Sequence, residues 1–459
     1  MTNHVYDKSS VSSIYEHALK LTGYSLSEKT NLPVDIVNQR NRGDLGTLIE
    51  KFYFQHTPPN NSEPDFPEAG LELKTTGLKK NAQGEFLAKE RLVLTMINFQ
   101  TITKEEWNSS TFMRKCKKIL ILFYLFNKET PVIDRKFIRK PMVLDFSPVE
   151  YQLKDDLKYV SRIPSGDLAV IEKDWYFIRQ RVLDGKAHEI SEGDTFYLAA
   201  CRKGSGGENE TLQSQPFSKE KAKTRAFSFK PSYINRILKA DNENYDSLGI
   251  GQQLDFEQAV RIKFGKYIGK SINEISKTLN FYKLSNNHKG FHRDLTNRIL
   301  SIKSKKPVEF EKAGIEIKTI RLNSKGLPRE SMSFPAFNFM EIIEQQWEDS
   351  IFFSKLENKF LFVVYKTYEN GNEVLERVFF WNMPYRDRLE ARRVWELTKT
   401  RLIAKNNNLP TASESYVAHV RPKGRDSKDL ALTPSGEMKV KQCFWLNKNY
   451  IADVLTSSE

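Results

Sequence analysis

One segment of this chain is written twice. Asp65-Phe-Pro-Glu-Ala-Gly-Leu-Glu-Leu-Lys-Thr75 aligns without a gap on Glu309-Phe-Glu-Lys-Ala-Gly-Ile-Glu-Ile-Lys-Thr319, at an offset of 244 residues. The correspondence continues in order through Trp107 with Trp347, Trp175 with Trp395, Tyr197-Leu-Ala with Tyr416-Val-Ala, and Tyr233-Ile with Tyr450-Ile, while the offset shrinks to 217. Surface loops accept deletions that packed elements do not, so the shrinkage marks shorter loops in the second copy. A period this long is no solenoid, and it predicts two homologous domains. They are expected at 1–240 and 256–459, with a linker at 241–255, where Asp241-Asn-Glu-Asn-Tyr-Asp-Ser-Leu-Gly-Ile-Gly251 offers turn residues and little to bury.

Each copy reads as mixed α+β, a central mixed sheet flanked by helices. In the first, Ser13-Ile-Tyr-Glu16 has capping-box spacing and opens a helix carrying Ile14, Ala18, Leu19 and Leu21. Leu45 to Phe54 reads as a second helix. Gly70 to Thr75 and Glu90 to Asn98 read as strands, Lys118 to Phe126 as a buried strand, and Leu168 to Leu183 as a long amphipathic helix around Trp175.

The chemistry gathers in the duplicated segment. Alternate side chains of a strand share a face, so Glu72 and Lys74 point one way and Leu71 and Leu73 the other. If Asp65 approaches Glu72, two carboxylates collect oxygens for a hard cation such as Mg²⁺, and Lys74 stands ready to orient or deprotonate a water. Glu50, amid Leu48, Ile49 and Phe52, could add a third carboxylate, and Lys117, just before the buried strand, could contact a scissile phosphate. The alternative for the short motif is an ordinary charged pair on a solvated strand face.

Composition limits the alternatives. Lys and Arg number 72 against 58 Asp and Glu, a formal charge of +14, which suits a phosphate-rich partner without requiring one. Three scattered cysteines, Cys116, Cys201 and Cys443, form neither a disulfide framework nor a zinc cluster, and the seven histidines fall singly, so His188 and His419 read as structural. The stretch Met1 to Leu21 contains Asp7 and Glu16 and no long apolar core, and no apolar run approaches a membrane span, so a cytoplasmic protein without a membrane partner is expected.

The run Pro64 to Thr75 resembles the active-site strand of MutH, the mismatch-repair nicking endonuclease. Gly46-Thr-Leu-Ile-Glu50, Lys115-Cys-Lys-Lys-Ile-Leu120, and Asp174-Trp175 through Gly185 to Tyr197-Leu198 and Lys203 follow the MutH order. The doubled architecture, with runs such as Ala69-Gly-Leu-Glu-Leu-Lys74, Lys89-Glu-Arg-Leu-Val-Leu94, Gly185-Lys-Ala-His-Glu-Ile-Ser-Glu-Gly193 and Glu330-Ser-Met-Ser-Phe334, resembles the Sau-three-A type of restriction endonuclease. That resemblance implies two tandem restriction-endonuclease-like domains, a type II enzyme cutting double-stranded DNA before the G of 5′-GATC-3′, Mg²⁺ as cofactor, and a cognate methyltransferase protecting host DNA. It assigns Asp65 and Glu72 as metal ligands, Glu50 as the helix carboxylate, and Lys74 and Lys117 as catalytic lysines. The alternatives are a MutH-like nickase and a non-catalytic GATC-binding protein.

Arg202 and Lys203 match the family's recognition loop, and Gly204-Ser-Gly-Gly-Glu-Asn-Glu210 reads as a segment that orders on DNA. Tyr233 aligns near a base-contacting aromatic, with core packing as its alternative, and Lys203 reads as a base or a phosphate contact. In the second copy Asp65 becomes Glu309, Glu50 aligns with Asn297, and Lys117 aligns with Asn358, while Glu316 and Lys318 persist. A catalytically silent domain is expected there. Its Arg421 and Lys423 leave open either binding of a second DNA site or mere support of the first domain. The protein is expected to be a monomer in isolation, with dimerisation or looping on DNA.

Overall fold

The computed structural model describes residues 6–33, 45–57, 62–147, 160–204, 211–239, 248, 250, 254–281, 290–302 and 307–457. The strands of the first repeat are β1 (Glu72–Lys80), β2 (Phe86–Ala88), β3 (Leu92–Met96), β4 (Lys118–Leu125), β5 (Phe137–Asp145), β6 (Val160–Arg162), β7 (Leu198–Arg202), β8 (Leu212–Gln213), β9 (Ala222–Lys223) and β10 (Arg225–Phe229). Those of the second are β11 (Glu316–Leu322), β12 (Met332–Ala336), β13 (Phe360–Thr367), β14 (Glu373–Trp381), β15 (Ala418–Pro422), β16 (Leu430–Leu432), β17 (Met438–Val440) and β18 (Gln442–Leu446).

The duplication is legible strand by strand. A mixed sheet of order β2-β1-β4-β5-β6 lies beside an antiparallel sheet β3-β10-β7; the second repeat reproduces them as β11-β13-β14 and β12-β18-β15. In both, the Glu-x-Lys strand runs parallel to the long apolar strand, with Glu72 opposite Ile119 and Glu316 opposite Phe360. Each repeat also carries a small two-stranded insertion, β8–β9 and β16–β17, before its last strand.

Period-two alternation explains the layers. Along β4, Ile119, Ile121 and Phe123 face a core holding Trp107 and Trp175, while Leu120, Leu122 and Tyr124 face one built from Ile14, Ile49 and Phe54. Along β13, Phe360, Phe362 and Val364 pack with Trp347 and Trp395, but Leu361, Val363 and Tyr365 join the core of the first repeat. One apolar core therefore runs through both repeats. At the join, Phe196 stacks on Phe256 with ring centroids 3.8 Å apart.

Several sequence expectations need adjustment. The first helix is Val11–Leu19, and its cap is Ser10, whose side chain accepts from the Ser13 amide; the Ser13 hydroxyl accepts from Asp7 instead. Leu45–Leu48 is an α-turn that widens into a π-helix, Ile49–Tyr53, a local widening that often marks functional positions. The long helix begins at Ser165. Within the expected linker, Leu248 and Ile250 are buried rather than idle, and the Leu248 amide donates to Glu309 (2.9 Å); apart from these, Leu254 and Asp255, the linker lies outside the described residues. So does 205–210, the segment expected to order on DNA. All three cysteines are buried and free. His188 faces Gln215 and His419 faces Asn447, both as structural residues. Among the described residues no helix is long and apolar enough to cross a membrane.

Candidate active site

A tight turn brings the acids together. Phe66 and Leu71 bridge across Pro67–Gly70, with Gly70 in the left-handed region (φ 59°), so the chain reverses and sets Asp65 beside the start of β1. Two hydrogen bonds fix the approach: the Asp65 amide donates to Glu72 (3.1 Å), and the Leu73 amide donates to Asp65 Oδ2 (2.8 Å). Glu72 has no exposed surface and Asp65 is buried. Lys74 donates to Glu72 Oε1, and Lys115 lies 3.6 Å from the same oxygen.

Electrostatics tie Glu50 to this group. Burial, then the charge of Asp65, pushes the Glu50 carboxyl up to about 7, with Glu72 adding to the rise and Lys74 and Lys115 opposing it. Burial likewise pushes Glu72 up to about 7 despite Lys74. Lys74 itself is held above its ordinary value: burial works against its charge, but Glu72 and Asp65 outweigh it. Acids this crowded and dry favour a cationic visitor.

Lys117 is not part of this cluster. It caps the helix Thr111–Cys116 and is exposed, whereas Lys115, on that helix, turns towards Glu72. The signal was present in the repeat: at the Trp107–Trp347 offset of 240, Lys115 pairs with Lys355. Lys355 does occupy the matching place, donating to Glu316, so the lysine is retained in both copies.

The second site is closed off differently. Glu309 sits on the helix Val308–Ala313 and accepts the Leu248 amide. Asn358 donates to Glu316 (3.0 Å), and Lys318 is 3.5 Å away. Burial alone would raise Glu316, but Lys355, Lys318 and Asn358 outweigh it and hold the carboxyl low. The same Glu-x-Lys strand thus carries a proton-hungry acid in one repeat and a neutralised one in the other. Asn297 lies on the helix Phe291–Ile299.

The residues expected to read DNA divide sharply. Tyr233 is fully buried and donates to Asp167 (3.1 Å); Tyr450, its counterpart, donates to Asp387 (2.8 Å), so this tyrosine–aspartate pair is a core device of both repeats. Arg202 is turned into the join, 3.2 Å from Glu348 and over the Phe353 ring. Lys203, Arg421 and Lys423 are exposed. Arg421 stacks over Trp445, and Lys423 donates to Ser333 and the Phe334 carbonyl.

The family model for the DNA mismatch repair enzyme MutH matches residues 54–156 and again 299–392. Fold and matches together define a site-specific deoxyribonuclease with tandem restriction-endonuclease-like domains. The chain is 31% identical to the type II restriction enzyme Sau3AI of Staphylococcus aureus, over 90% of this chain and 92% of that protein. The MutH protein of Buchnera aphidicola (subsp. Baizongia pistaciae) is 25% identical over 39% of this chain and 73% of its own length, and that of Actinobacillus pleuropneumoniae serotype 3 is 29% identical over 36% and 77%. The protein belongs to the Sau3AI family of type II restriction enzymes.

Proposed function

We propose that this chain cuts double-stranded DNA before the G of 5′-GATC-3′ by magnesium-dependent hydrolysis, with residues 1–240 catalytic and 256–459 a silent DNA-binding or effector domain. The supporting observation is the contrast between the copies: Asp65 laced to Glu72 in the first, and Glu309 drawn to Leu248 in the second.

The donor set of the first copy fits a hard divalent cation. Glu72 and Glu50 are raised by burial and by the charge of neighbouring Asp65, a cost that a positive ion would offset. Among the described residues no three acidic, histidine or cysteine side chains enclose an ion by themselves. When bound, Mg²⁺ would neutralise the phosphate and acidify a water. Asp65 and Glu72 would hold that ion, with Glu50 adding its charge from the neighbouring helix. Lys74, kept protonated by Glu72 and Asp65, orients the attacking water, and Lys115 faces the phosphate oxygens as charge develops on them. Lys203, Arg421 and Lys423 serve as DNA contacts. In a bacterial cytoplasm, a companion methyltransferase would shield host GATC sites.

One complete site per chain means that the two strands are cut by two chains meeting on the palindrome or by successive nicks. Digestion of an unmethylated plasmid in Mg²⁺ by the wild type, Glu72→Ala and Lys74→Ala, with the ends sequenced, tests this reading. Wild-type linear product with ends before G is expected. Equal cutting by all three proteins would remove the site assignment, and open circles without linear product would make the enzyme a nickase.

A further inference from the structure

The insertion β8–β9 follows the recognition loop, and its turn presents Phe217. Among the described residues this is the most exposed large apolar side chain, at 73%. Its φ of 62° lies in the left-handed region, which a bulky residue rarely adopts. The surroundings hold it there. Buried Gln215 accepts the Ala187 amide (2.8 Å) and donates to the Glu220 carbonyl (2.7 Å). Gly185, just past the helix Ser165–Leu183, packs so closely that a Cβ in its place would lie 2.5 Å from the Phe217 carbonyl oxygen. The ring therefore projects from a rigid mount.

Charge indicates what meets it. Lys219 and Lys221 are exposed on this turn against Glu220 alone, Lys186 and Lys203 are exposed on the adjoining segments, and Lys223 turns to Glu348 instead. The second repeat carries an apolar hairpin at the matching place. Opposed pairs Leu430–Val440 and Leu432–Met438 place four apolar side chains on one face of β16–β17, with Leu432 and Met438 more than half or half exposed. The hairpin's flanking charges are mixed: Arg425 and Lys441 pair with Asp429, while Lys428 is exposed. An apolar probe on a segment rich in exposed cations complements a polyanion that hides stacked apolar faces, which is duplex DNA.

We propose that Phe217 is a wedge that enters the duplex beside the cut sequence and stacks on a base, opening one base step. This rests on the DNA-cleaving reading above. Base–aromatic stacking predicts that truncation weakens DNA binding about 5- to 150-fold. The test uses the full-length protein in EDTA with GATC duplexes bearing 2-aminopurine at successive flanking positions, read by fluorescence and by titration. The wild type and Phe217→Trp are expected to change the fluorescence at one position, and Phe217→Ala to lose both signal and affinity. Phe217→Gly suits the left-handed backbone, so it should melt no lower than the wild type and still lose the signal. A wild type that binds no GATC duplex overturns the DNA-cleaving reading and this inference with it. Wild-type binding and fluorescence matched by Phe217→Ala and Phe217→Gly overturn this inference alone.

Discussion

Replacing Lys115 or Lys117, one at a time, separates two assignments that lie two residues apart. Lys115 stands 3.6 Å from Glu72 Oε1 with most of its side chain covered, while Lys117 is exposed at the helix end. A unit charge at that separation interacts by about 4–5 kcal/mol at an effective dielectric of about 20, of which only the part that grows in the transition state accelerates the reaction. Removing one fixed donor from such a site typically costs about 3–4 kcal/mol, a loss of ~10²–10³ in rate. Lys115→Ala should therefore slow single-turnover cleavage, measured with protein in excess over a one-site duplex, by that factor. Lys117→Ala, which removes an exposed charge, should cost less than about 1 kcal/mol and act mainly through salt-dependent binding. Cleavage slowed a hundredfold by Lys117→Ala and left intact by Lys115→Ala would refute the placement of the second lysine.

Three further outcomes follow from the join and its surroundings. Glu357 is buried, accepts the Glu192 amide (3.0 Å) and lies 3.5 Å from Arg388; Glu357→Ala strands that guanidinium and should cost about 3–5 kcal/mol in urea unfolding, a loss below ~1 kcal/mol counting against a buried pair. Burial lowers fully enclosed Lys230 to about 8, so between pH 8 and its unfolded value of 10.5 the unfolded chain holds more protons and stability rises with pH; Lys230→Met should flatten that rise, and an unchanged slope would contradict it. Gly185→Ala places a methyl against the Phe217 carbonyl from a left-handed backbone and should cost at least about 1–3 kcal/mol, seen as a lower urea midpoint; an unchanged midpoint would show that the hairpin moves aside freely.

The repeat carried most of the fold into the sequence. Once Trp107, Trp175, Tyr197 and Tyr233 each had a partner in order, two domains of like topology followed, and the parallel pairing of each Glu-x-Lys strand with its apolar neighbour repeats as duplication requires. The grouping of Asp65, Glu72 and Lys74 was readable because a strand's two-residue period and a short turn fix their mutual positions; Glu50, on a separate helix, was readable only as a carboxylate set among apolar neighbours. Lys115 was not, because Lys115-Cys-Lys117-Lys118 spans a change from helix to strand, where neither periodicity alone says which lysine turns towards Glu72. Arg202 was hidden for another reason: its partner Glu348 belongs to the other repeat, and local pattern carries no information about contacts across the join. Tyr233 resembled a base reader until its twin Tyr450 proved to make the same buried bond.

The core shared by the repeats bears on how the enzyme is made. A chain released from the ribosome after its first repeat would leave Ala313, Leu361 and Tyr365 missing from the packing around Tyr233 and Phe196, and would present that apolar face to solvent. The first repeat therefore gains its full stability only when synthesis of the second is complete.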